Sequence, residues 1–201
     1  MLIVIFLCLG GFLASFVDSI AGGGGLISMP VLLISGLPAH LALGTNKFAS
    51  SCGSFTSAYR YYKSGKTNIE LLKKLLPFTI LGCILGVKCV LSISEEFLNL
   101  LVFIMIVAVT IYTYTKKDLG TEDKFKELTD KNIKLGMLMA FLLGFYDGFF
   151  GPGTGTFLTF ALIKIYGFDF LHASANTKIL NFTSNFIALI LFMFSGQILY
   201  K

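Results

Sequence analysis

Residues 16-30 read Phe-Val-Asp-Ser-Ile-Ala-Gly-Gly-Gly-Gly-Leu-Ile-Ser-Met-Pro, and residues 145-157 return the pattern as Phe-Tyr-Asp-Gly-Phe-Phe-Gly-Pro-Gly-Thr-Gly-Thr-Phe. Each copy places one aspartate and a glycine break inside a long apolar segment. Backbone in a bilayer must satisfy its own hydrogen bonds, so a segment there should run as an unbroken helix. A carboxylate at that depth costs about 2.5 to 3.5 kcal/mol on insertion scales. A chain that repeats so costly a defect is using it, and paired broken helices in two halves point to a central binding site between them.

The surrounding sequence fits a bilayer. Of 201 residues, 55% are hydrophobic and 13% charged, with a mean hydropathy of +0.82. Six stretches are long enough, or nearly so, to cross about 30 Å of hydrocarbon: 2-20, 40-62, 75-91, 97-115, 135-150 and 171-195. Two more, 26-36 and 156-166, are apolar but too short. The expected fold class is therefore all-α, a polytopic membrane protein with inverted internal repeats and broken, re-entrant or half helices. The first segment lacks the basic start and small-residue cleavage site of a signal peptide and is read as retained.

The net charge of +5 reports orientation in a membrane protein, because Lys and Arg gather in cytoplasmic loops, so nucleic acid is not an expected partner. Cys8, Cys52, Cys83 and Cys89 contain no C-x-x-C, lie in apolar segments and read as packing thiols. No metal site, cofactor or catalytic residue is expected.

The one long polar stretch, residues 116-134, divides the chain into a first half, 1-115, and a second half, 135-201. It reads as a solvated cytoplasmic linker; a short helix from Thr121 with Phe125 and Leu128 on the membrane surface is the less favoured alternative. Laying the halves over each other pairs Leu-Gly-Thr-Asn-Lys (43-47) with Ser-Ala-Asn-Thr-Lys (174-178), and Ser64-Gly65 with Ser195-Gly196, at an offset of 131. Asp18 and Asp147 pair at 129, which a two-residue difference in the intervening loop explains. The same alignment sets Arg60, Lys63 and Lys66 against Leu191, Phe194 and Gln197, as expected if the two loops face opposite sides of the membrane. Loops 63-74 and 116-134 are then expected in the cytoplasm and residues 92-96 outside. The second half ends soon after Gly196, where the first continues with two more spans, and so reads as incomplete.

Where a helix restarts after Gly22, Gly23, Gly24 and Gly25, or after Gly151 and Gly153, its first N–H groups have no partner and carry the positive end of the dipole, a setting for an anion. Lys47 and Lys178 lie several residues inside apolar segments, beside Asn46 and Asn176, and read as facing the substrate. Asp18 and Asp147 would repel an anion directly. They are read as partners of those lysines, proton carriers or caps of the restarting helices. The Gly82-x-x-x-Gly86 pair reads as a close helix contact, Lys88 and Lys164 as snorkelling cations, and His40 and His172 as interfacial residues at helix starts. The sequon Asn181-Phe-Thr183 lies within an apolar span, out of reach of glycosylation.

The runs Ala-Gly-Gly-Gly-Gly-Leu-Ile-Ser-Met-Pro, Gly-Leu-Pro-Ala-His-Leu-Ala-Leu-Gly-Thr-Asn-Lys and Arg-Tyr-Tyr-Lys-Ser-Gly resemble the TauE/SafE sulfite exporter family of membrane transporters. The resemblance covers both halves and implies transport of a small anion, often a sulfur oxyanion or organosulfonate, across the cell membrane. The partners expected are that anion, the lipid bilayer and, at most, further copies of the chain. The enzyme alternative, an intramembrane aspartyl protease, fails because Asp18 follows Ser15-Phe16-Val17 instead of Gly-x-Gly. A structural or interaction subunit stays open as the alternative to a transporter.

Overall fold

The structure is a computed structural model and describes residues 2–21, 23–115, 125 and 128–199. Among these residues the chain is helical, without strands: α1 Leu2–Ala21, α2 Gly25–Ile34, α3 Ala39–Lys63, α4 Ile69–Leu91, α5 Glu95–Thr115, α6 Asp130–Phe149, α7 Thr154–Tyr166 and α8 Phe170–Phe194. The order long, short, long recurs. Helices α1, α2 and α3 have 20, 10 and 25 residues, and α6, α7 and α8 have 20, 13 and 25.

Helices α4, α8, Leu2–Ser19 of α1 and Glu95–Tyr112 of α5 are long and apolar enough to cross a membrane. Helices α3 and α6, which cover the expected spans 40-62 and 135-150, have the length but a more polar composition. Helix α3 carries Asn46, Lys47 and a run of Ser and Thr, and α6 begins with charged residues and contains Asp147. Several of their polar residues point inward: Asn46, Lys47, Ser51, Ser54 and Asp147 are all buried. Outward-facing positions are apolar instead, including Leu2, Phe12, Phe16, Leu81, Leu85 and Phe103. Polar groups inside and large apolar groups outside invert the arrangement of a water-soluble protein and suit lipid as the solvent.

Helix α6 begins within the stretch 116-134. Thr129 accepts the Asn132 amide at 3.3 Å and caps α6, which starts at Asp130. The proposed helix start at Thr121 lies outside the described residues. Phe125 stacks on Phe168 with centroids 4.8 Å apart, and Leu128 packs on the cluster around Leu71, Leu75 and Leu162, so both touch protein.

Helices α4 and α6 make the most extensive contact in the molecule. Added Cβ atoms at Gly82 and Gly86 would overlap the carbonyl oxygens of Phe141 and Phe145, and one at Gly148 would overlap that of Cys83. Gly144 would place its Cβ 2.9 Å from Thr79 Cα. Two G-x-x-x-G pairs, Gly82/Gly86 and Gly144/Gly148, thus bring two backbones into direct contact, the packing mode that works without a hydrophobic driving force. This seam fixes Asp147 and the second break against α4 and α8.

Candidate functional site

Both glycine clusters fall at helix ends. Helix α1 ends at Ala21 and α2 starts at Gly25, while α6 ends at Phe149 and α7 starts at Thr154. Gly22 lies outside the described residues. At the second break Gly151 and Gly153 have φ of +100° and +85°, a left-handed backbone that other residues rarely adopt. The breaks touch, since a Cβ at Gly25 would sit 2.9 Å from Pro152 Cα. Gly24 packs differently from the expectation of a glycine open to ligand. A Cβ there would overlap the Ala14 carbonyl oxygen and lie 2.6 Å from Asp18 Cβ, so Gly24 keeps α1 and α2 together. Its amide is already used, donating to Asp18 Oδ1 at 3.3 Å.

Both aspartates pair with lysines, and each pair crosses between the halves. Lys47 of α3 donates to Asp147 of α6 at 2.9 Å and to Asn185 Oδ1 of α8 at 3.1 Å. Lys178 of α8 donates to the backbone oxygen of Asp18 and lies 3.4 Å from Asp18 Oδ2. Four further contacts, in two pairs, obey the repeat. Asn46 accepts from Ser28 Oγ at 2.5 Å, and at the 131 offset Thr159 bonds Thr177 at 3.1 Å. Thr45 accepts the Leu199 amide at 3.1 Å, as Asn176 accepts the Asn68 amide at 2.8 Å.

That last contact removes Asn176 from the centre. Its Oδ1 holds the α3–α4 turn and its amide donates to the His172 carbonyl at 2.8 Å, so it secures backbone and lines neither central cavity. Its neighbour by analogy, Asn46, does line both.

The two pairs are unequal. Asp147 is enclosed, its side chain 2% exposed, and it accepts from both Lys47 and Ser184. Asp18 is 24% exposed at the side chain and its lysine stands farther off. The 131 offset supplies the cause: the counterpart of Ser184 is Gly53, which has no hydroxyl to offer Asp18. Nothing lies within 4 Å of a Cβ at Gly53. The space left there belongs to a cavity of about 220 Å³ whose walls include Ser15, Asp18, Ser28, Asn46 and Gly53. A second, very small cavity of about 20 Å³, room for about one water, touches Lys47, Asp147, Gly151, Asn181 and Asn185.

Ser184 and Asn185 were not singled out from the sequence, and Asn181 was noted only as part of an unreachable sequon, although the three carry much of the site. Asn181 and Asn185 follow Lys178 by three and seven residues, on one face of α8, and this helical spacing was the available signal. Asn185 donates to the Asn181 carbonyl at 2.9 Å and to its side-chain oxygen at 3.0 Å, which orients its own oxygen toward Lys47.

Other residues fall outside the site. Lys88 and Lys164 are exposed, in contrast to the fully buried Lys47 and Lys178. Cys83 is buried and donates to the Ser184 carbonyl at 3.1 Å, while Cys8, Cys52 and Cys89 are exposed, not packed. His40 is buried instead of interfacial, with Nδ1 2.5 Å from Glu95 and Nε2 2.9 Å from the Val90 carbonyl. His172 lies beside Asp169, whose carboxylate caps α8; the His172 amide bonded to it holds that carboxylate below its usual range.

A family model described as Sulfite exporter TauE/SafE matches residues 7–201. The chain is 39% identical over 200 residues to a "Probable membrane transporter protein" of Haemophilus influenzae, covering 100% of this chain and 77% of the relative. It is 38% identical to "Probable membrane transporter protein ORF9" of Sinorhizobium sp, over 98% of this chain and 74% of the relative. It is 32% identical to "Probable membrane transporter protein YfcA" of Escherichia coli K12, over 94% and 69%. No solved structure matches the chain. The family and these relatives are transporters, not enzymes, and the apolar helices make the chain an integral membrane protein. With the motif runs, the twin breaks and a match over nearly all its length, the chain belongs to the TauE/SafE sulfite exporter family.

Proposed function

We propose that the chain is a multi-pass secondary transporter of the cell membrane that moves a small anion, a sulfur oxyanion or organosulfonate such as sulfite, together with a proton. The observation that carries this reading is the pair of cross-half Lys–Asp contacts at touching helix breaks, next to a cavity lined by hydroxyl and amide groups. A lysine held by a carboxylate has no net charge to offer an anion. Protonating the aspartate releases that charge, so the anion binds where the carboxylate let go. Asp18 suits this exchange: it borders both cavities and its lysine stands at 3.4 Å. Asp147, enclosed by Lys47 and Ser184, has the static role.

The test is flux of sulfite, sulfate and methanesulfonate in vesicles of purified protein, with and without a pH gradient. Flux should accelerate when the side supplying the anion is acidified. Asp18→Asn, which fixes the neutral form, should abolish that response. A panel without any transported anion would sink the reading, and a pH response surviving in Asp18→Asn would remove the proton from Asp18.

We further propose that α1–α3 and α6–α8 cross the bilayer in opposite senses, which the loss of Arg60, Lys63 and Lys66 from the second copy supports. Cysteine labelling is expected to find Ser64 in the cytoplasm and Ser195 outside. Labelling of both from one side would refute the inversion.

A further inference from the structure

Three cavities follow one another from the α3–α4 turn to the buried pairs. The outermost, about 530 Å³, has Arg60, Tyr61, Ser64 and Lys66 in its wall and shares Ser19 and Ser57 with the cavity of about 220 Å³. That cavity shares Asp18, Gly25, Asn46 and Ser50 with the small one that touches Lys47 and Asp147. Neighbouring cavities thus share Ser19, Ser50 and Ser57 from the α3–α4 turn inward, hydroxyls that suit water or a polar solute.

Among the described residues the two cations at the mouth, Arg60 and Lys66, form no ion pair. Lys74 pairs with Glu70 at 2.9 Å and Lys63 stands over the Tyr59 ring at 5.0 Å, whereas the side chains of Arg60 and Lys66 meet no carboxylate among the described residues. Their counterparts in the second half, Leu191 and Gln197, are uncharged, so that half lacks the pair.

We infer that Arg60 and Lys66 form a vestibule that collects oxyanions and feeds them past Ser57 and Ser19 to Asp18 and the lysine pairs. This rests on the proposed anion transport. The guanidinium of Arg60 presents paired N–H groups that match two oxygens of a sulfite or sulfonate. Cations at a concave mouth raise the local anion concentration and the rate of capture. A lipid phosphate offers the same oxyanion chemistry and is the competing occupant.

The experiment uses purified full-length protein in vesicles of neutral phosphatidylcholine, with sulfite as the probe. Arg60→Gln with Lys66→Gln should raise KM roughly tenfold at low ionic strength and leave kcat unchanged. The gap should close at high salt, where the field is screened. Arg60→Lys with Lys66→Arg keeps both charges and should hold KM near the parental value, which separates loss of charge from misfolding; equal thermal unfolding midpoints provide the second check. Unchanged KM in the Gln variant at both salt concentrations overturns the vestibule while parental transport leaves the site reading standing. An effect that appears only when anionic lipid is added to the vesicles also overturns it, assigning the cations to headgroups. If the parental protein moves no oxyanion, the site reading and the vestibule fall together.

Discussion

Lys47→Met is expected to reduce anion flux to background and to destabilise the fold by about 3 to 5 kcal/mol, the cost of leaving one member of a buried ion pair alone. The substitution keeps side-chain length and removes the charge. It leaves Asp147, 2% exposed, with Ser184 as its remaining side-chain partner and leaves the Asn185 oxygen facing an apolar group. Adding Asp147→Asn removes the orphaned charge, so thermal unfolding of the double variant should return toward the parental midpoint while flux stays absent. Lys178→Met should also stop transport with a smaller loss of stability, because Asp18 retains the Gly24 amide and is partly exposed to the cavity. Lys88→Met, at an exposed position, should change neither. Parental flux and affinity in both Lys47→Met and Lys178→Met would show that the substrate passes elsewhere.

Gly86→Val is expected to prevent accumulation of folded protein, and Gly82→Val to do the same. Overpacking costs typically about 1 to 3 kcal/mol when side chains can rearrange. Here the obstacle is main chain: a Cβ at Gly86 would overlap the Phe145 carbonyl oxygen and approach the Phe149 nitrogen to 2.8 Å. Relief requires moving α4 from α6, which also carries Asp147 and the second break. Gly11→Ala and Gly53→Ala provide the contrast, since a Cβ at either position meets nothing within 4 Å. Membrane yield and monodispersity in detergent measure the outcome. A monodisperse Gly86→Val protein would mean that the seam tolerates separation.

The sequence displayed the breaks, the lysines, the aspartates and the order of long and short helices because each violates the chemistry of an apolar span. A buried lysine or a glycine cluster stands out against leucine and phenylalanine. It displayed Asn181, Ser184 and Asn185 poorly, since small polar residues in a membrane helix more often bond their own preceding turn, as Ser51 does with the Lys47 carbonyl. Asn176 misled for a related reason: its proximity to Lys178 in sequence says nothing of direction, and its side chain turns toward the Asn68 amide. The spans 40-62 and 135-150 were visible, but their polarity reads as a defect until the buried contacts of Lys47 and Asp147 explain it. The start of α6 was hidden because Asp130 and Lys131 are as natural in a first helical turn as in a linker.

The exchange of charges between halves bears on how the protein is made. Lys47 is separated from Asp147 by 100 residues, and Asp18 from Lys178 by 160. At a synthesis rate of about 5 to 20 residues per second, Lys47 waits about 5 to 20 seconds for its carboxylate, and Asp18 about 8 to 32 seconds for its ammonium group. During that interval the first half holds a cation and an anion whose partners are not yet made, and Lys47 meets Asp147 before Lys178, 31 residues later, completes the second pair. The pairing of the halves is thus complete only once α8 has been synthesised, and a chain stopped between α6 and α8 keeps Asp18 without its lysine.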